Sequence, residues 1–115
     1  MNLHAWMDSM AGEQKNGVRP ERPLTEVGWA YLKNLAGSIT TQFPPSHFSD
    51  AELNSLDPHA WTIESYNAAV EKIYPYVQTN KKLDENFTNQ MFNLCRERVA
   101  LGGYRLANTI ISIYK

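Results

Sequence analysis

Within Asn2-Leu3-His4-Ala5-Trp6-Met7-Asp8 an imidazole and a carboxylate stand four positions apart. On a helix that spacing places His4 and Asp8 on one face, with their Cβ atoms roughly 5–6 Å apart. One imidazole nitrogen and one carboxylate oxygen can then meet at a metal ion through bonds of about 2 Å. The same residues also suit an ordinary exposed helical pair contributing roughly 0.2–0.5 kcal/mol, and spacing alone leaves both readings open. The remaining histidines offer less. His47 falls in an expected loop with no acidic or histidine neighbour at ligand spacing. His59 falls in the first turn of an expected helix, where the dipole disfavours a charged imidazole.

The elements that must position these residues read as helices. Leu3, Trp6, Met7, Met10 and Ala11 recur at spacings of three and four, which predicts a short amphipathic helix ending near Gly12. Residues 12–23 are polar and broken by Gly12, Gly17, Pro20 and Pro23, a surface loop. Thr25 can cap a helix from about 25 to 42, built on Leu24, Val27, Gly28, Tyr31, Leu32, Leu35 and Ile39, and Pro44-Pro45 stops it. Ser49-Asp50-Ala51-Glu52 has the form of a capping box opening a short helix that ends near Leu56. Asp57-Pro58 supplies a cap acceptor and a proline at the first helical position. The helix it starts carries Trp61, Ala68, Ala69, Val70, Ile73, Tyr74 and Val77, with Pro75 marking its end or a kink.

After a polar break at residues 78–82, one long helix is expected from about Asp84 to Tyr114. Its stripe is Phe87, Met91, Leu94, Cys95, Leu101, Leu106, Ile110 and Ile113. Gly102-Gly103 interrupts it where another helix could approach closely or the axis could bend. Arg96, Arg98 and Arg105 are expected on its solvated faces. Alternating β-branched runs are missing, so the fold class is all-α with four or five helices.

Composition narrows the function classes. A chain of 115 residues with 43% hydrophobic content has the makings of one globular domain, and a formal charge of −1 gives no global field for gathering nucleic acid or anionic membrane. Phosphate chemistry would therefore need a local site or a bound cation. The single cysteine, Cys95, excludes an internal disulfide and any cysteine-rich zinc site, and reads as a small buried hydrophobe. No apolar run is long enough to span a membrane, and the N-terminus lacks the basic and apolar regions of a secretory signal.

Asn2-Leu3-His4 with Asp8, then Trp61-Thr62-Ile63-Glu64-Ser65 opening a helix, then Gly103-Tyr104-Arg105-Leu106-Ala107 near the end resemble, in that order, the C-terminal part of S1/P1-type nucleases. The resemblance implies an α-helical fold shared with zinc-dependent phospholipases C. It also implies a cluster of three zinc ions that cleaves single-stranded DNA and RNA and removes 3′-phosphates. His4 and Asp8 match the positions that supply one histidine and one aspartate to a single zinc of that cluster. Met7 stands where the family often has tryptophan, which here falls at Trp6 and alters local packing more than ligation. The Trp61 to Ser65 and Gly103 to Ala107 stretches match parts that look structural, so no catalytic role passes to Glu64 or Arg105.

On this reading residues 1–115 are the C-terminal α-helical part of an S1/P1-like domain, with the other zinc ligands in an absent N-terminal part that would be its partner. Such a chain is expected to be inactive alone. It should also self-associate through apolar faces left uncovered on the first helix and one side of the last. Family members are typically secreted or periplasmic. Two alternatives are a zinc phospholipase C relative and a non-enzymatic helical interaction module with His4 and Asp8 on its surface.

Overall fold

The computed structural model describes residues 21–77 and 84–115. The expected first helix, with His4 and Asp8, and the polar break lie outside them. Among the described residues the fold is all-α, with five helices. They are α1 (Glu26–Gln42), α2 (Asp50–Asn54), α3 (Pro58–Lys72), the single-turn α4 (Tyr74–Val77) and α5 (Glu85–Ile113), with a 3-10 turn at Pro45–His47 before α2.

The caps expected at Thr25, Ser49 and Asp57 sit where the sequence places them. Thr25 accepts from the Gly28 backbone N–H at 3.1 Å and starts α1. Ser49 accepts from the Glu52 N–H at 3.1 Å, while the Glu52 carboxylate accepts from the Ser49 N–H at 2.8 Å, a complete capping box for α2. Asp57 caps α3 ahead of Pro58, and Asp84 accepts from the Phe87 N–H at 2.7 Å to start α5. The short helix stops at Asn54, two residues before Leu56, and α3 closes at Lys72 because Pro75 belongs to the separate turn α4.

Five residues are too few to hold a helix by their own hydrogen bonds, so α2 depends on α5. The last-turn carbonyls of α2, which have no intrahelical donor, are taken up from across the fold. Arg105 Nε donates to the Glu52 carbonyl at 2.8 Å and Asn108 Nδ2 to the Leu53 carbonyl at 2.9 Å. Around this junction Ile39, Phe43, Phe48, Ala100 and Leu101 form the larger core cluster, with Leu35, Leu53 and Tyr104 against it. Tyr104 also donates its hydroxyl to the Phe43 carbonyl at 2.9 Å, fixing the end of α1. A second cluster, Phe87 and Met91 with Ile73, Phe92, Leu94 and Cys95, joins the start of α5 to the end of α3.

Three expectations need correction. Arg96 and Arg105 are not on a solvated face: they are 6% and 3% exposed, because each finds acceptors on neighbouring elements. Gly102-Gly103 does not mark a close helix approach, since a Cβ at either position would meet nothing within 4 Å, and α5 runs through it unbroken. The stripe expected along α5 is buried only in part. Leu106, Ile110 and Ile113 are 61%, 48% and 68% exposed, so the last turns present an apolar ridge to solvent.

Candidate functional site

The two motif stretches in the described residues meet in space. Glu64, on the first half of α3, receives Arg105 of α5 bidentately, Nη1 to Oε2 and Nη2 to Oε1, both at 2.8 Å. The guanidinium lies 5.5 Å from the Trp61 ring centroid, and Trp61 Nε1 donates to the Ser55 carbonyl at 2.8 Å. Arg98 adds longer contacts to Glu64 Oε2 at 3.4 Å and Ser65 Oγ at 3.3 Å. Periodicity could not reveal this pairing, because its partners lie 41 positions apart. The joint presence of Trp61-Glu64-Ser65 and Gly103-Arg105 was the available signal.

The electrostatics give this cluster a structural role. Hydrogen bonds from Arg105 hold the Glu64 carboxyl below its ordinary value, burial opposes them more weakly, and the Arg105 charge adds to the lowering. A general base working near neutral pH needs the opposite shift, and both Glu64 oxygens are already engaged. Arg105 spends Nε, Nη1 and Nη2 on protein acceptors and is almost wholly buried, so it cannot reach a phosphate. Arg96 is similarly committed, with Nε on Gln42 Oε1 at 3.0 Å, Nη2 on Ser38 Oγ at 2.8 Å and the Phe92 ring centroid 5.1 Å away.

His47 is an exposed turn residue, as its loop position suggests, and it meets a carboxylate from a distant element. Its Nε2 lies 3.1 Å from Glu97 Oε2, with Phe43 and Phe48 edge-on at centroid distances of 5.1 and 4.9 Å. The neighbour comes from α5, where sequence spacing gives no hint of it. His59 is exposed at the start of α3. Cys95 is half-buried, and burial pushes its thiol above the ordinary range. Among the described residues no three His, Cys, Asp or Glu side chains gather to hold a metal ion. An imidazole and a carboxylate are suitable zinc donors. His4 and Asp8 lie outside the described residues, and as two donors they are fewer than the three protein ligands of a catalytic zinc site.

The model of the S1/P1 nuclease family matches residues 1–115. The chain belongs to the S1/P1 nuclease family. Membership gives the Glu64–Arg105–Trp61 junction its place as part of this S1/P1 chain's helical framework, since it joins two of the three stretches that carried the resemblance. The match corrects the expectation that the chain resembles only a C-terminal portion and requires an absent N-terminal part as partner. The family model aligns with the chain from Met1 to Lys115. That expectation rested on three short motifs, and the match covers all 115 residues. No curated protein and no solved structure gives a significant match. Among the described residues, no helix of this S1/P1 family member is long and apolar enough to cross a membrane.

Proposed function

We propose that this chain serves S1/P1 chemistry, the hydrolysis of phosphodiesters in single-stranded DNA or RNA, with His4 and Asp8 as ligands to one zinc ion. The observation supporting this reading is the family match over the whole chain, which includes the Asn2-Leu3-His4 and Asp8 positions. A bound zinc ion supplies an acidified water and offsets charge on phosphoryl oxygens. Two protein ligands are fewer than the three of catalytic zinc sites, so the chain by itself holds zinc weakly and turns over no substrate. An exported location belongs to the same reading.

The experiment is zinc titration by calorimetry alongside cleavage of labelled single-stranded DNA, with phospholipid as the competing substrate. The expected result is weak zinc binding that His4→Ala and Asp8→Ala each abolish, with no cleavage above background. Zinc binding unchanged in both variants would remove the ligand assignment. Chelator-sensitive DNA cleavage would overturn the inactivity of the isolated chain, and zinc-dependent phospholipid hydrolysis would move the chemistry to the phospholipase C class.

A further inference from the structure

Between the C-terminal ends of α1 and α3 and the first half of α5 lies an open cleft of about 520 Å3, within the range of roughly 300–1,000 Å3 typical of small-molecule sites. Phe43, Met91 and Leu94 supply its apolar lining, with Met91 only 1% exposed and therefore fixed in the second core cluster. Two carboxylates, Glu71 of α3 and Glu97 of α5, face one ammonium, Lys72, which leaves the lining a net charge of −1. Gln42, also in the lining, is locked: its Oε1 accepts from buried Arg96 and its Nε2 donates to Asn93 Oδ1 at 3.0 Å.

The balance of groups selects a ligand. Glu97 Oε2 is occupied by His47, leaving Oε1 as an acceptor, and Glu71 carries no ion pair among the described residues. A phosphate would meet net repulsion. A metal ion would need a third close ligand, and no such group forms among the described residues. A primary ammonium fits, because its three N–H donors and absence of acceptors match carboxylate oxygens, while an aliphatic stem can cover Leu94 and the half-exposed Tyr76 ring as lysine stems cover apolar surface.

We infer that this cleft is a binding site for a protonated primary alkylamine, its head held by Glu71 and Glu97 and its stem laid on Leu94 and Tyr76. The site stands apart from the His4 and Asp8 reading and does not depend on it. Such an amine is either a free small molecule or the end of a lysine side chain.

The test is an NMR titration of the full chain with n-butylammonium, following the side-chain amides of Gln90 and Asn93, which line the cleft. Saturable shifts with a Kd on the order of 1 mM are expected for so small a ligand. Glu71→Gln and Glu97→Gln should each weaken binding about threefold to tenfold. Glu71→Gln leaves the His47 contact intact, so it reads the site even if Glu97→Gln loosens the fold. Tighter binding of Nα-acetyl-lysine methylamide than of butylammonium would assign the site to a lysine side chain, and equal binding to a free amine. Absence of saturable shifts, equal shifts with butanol or phosphate, or unchanged affinity in both variants would overturn the assignment.

Discussion

Arg105 and Glu64 meet through two parallel hydrogen bonds of 2.8 Å, with the Arg105 side chain 4% and the Glu64 side chain 31% exposed. One end of this pair is enclosed and the other touches solvent. Removing the exposed end therefore strands a charge that water cannot reach. Breaking a fully buried pair costs about 3–5 kcal/mol, and the partial exposure of Glu64 lowers that figure. Glu64→Ala should cost roughly 2–3 kcal/mol, and Arg105→Ala a similar amount. Arg105→Lys should recover little of the loss, since an ammonium cannot bond both oxygens in the fork geometry. Urea unfolding of the three variants measures this, and an Arg105→Lys protein as stable as the parent would show that charge without geometry suffices.

The same pair gives the fold an acid-sensitive component. Glu64 is held below its ordinary value of 4.5, chiefly by hydrogen bonds from Arg105. Between the folded and unfolded values the unfolded chain binds the proton more readily, so stability rises with pH through that window. The contribution is complete above the unfolded value and is lost as pH falls through the folded one. Unfolding free energies measured from neutral pH downward should decline below about pH 4.5, and Glu64→Gln should flatten part of that decline. An unchanged acid slope in Glu64→Gln would assign the decline to other carboxylates.

Arg96 is buried with neutral acceptors alone, Gln42 Oε1 and Ser38 Oγ, and its charge meets no carboxylate among the described residues. Its stem and its ring contact with Phe92 fill space that methionine also fills. Arg96→Met should stay within about 1 kcal/mol of the parent, because the exposed Gln42 and Ser38 regain water. Arg96→Ala should lose roughly 2–3 kcal/mol to the cavity it leaves. Equal losses in the two variants, read by thermal and urea unfolding, would show that the guanidinium hydrogen bonds outweigh packing.

Gly102 and Gly103 lie exposed in the middle of α5 with open space where a Cβ would stand. Alanine loses less backbone entropy in a helix, so Gly102→Ala and Gly103→Ala should each stabilise the protein by about 0.5–1 kcal/mol. Their sum should be close to additive. A loss of stability in either would mean that a neighbour packs against the glycine face.

What the sequence determined by itself is local. Thr25, Ser49 with Glu52 and Asp57-Pro58 mark helix starts because a cap is a bond between residues two or three positions apart, and all three act as expected. The all-α class follows from the same short-range chemistry, and the order of the three motif stretches was enough to point to the family. The tertiary structure decided which polar residues lie inside. Arg96 and Arg105 look like solvated charges on a helical wheel, and only acceptors 41 to 58 positions away make their burial tolerable. The pairing of His47 with Glu97 across 50 positions has the same origin. Desolvation of a charge is balanced by partners that folding brings together from distant parts of the chain, and sequence spacing within one helix carries no record of them.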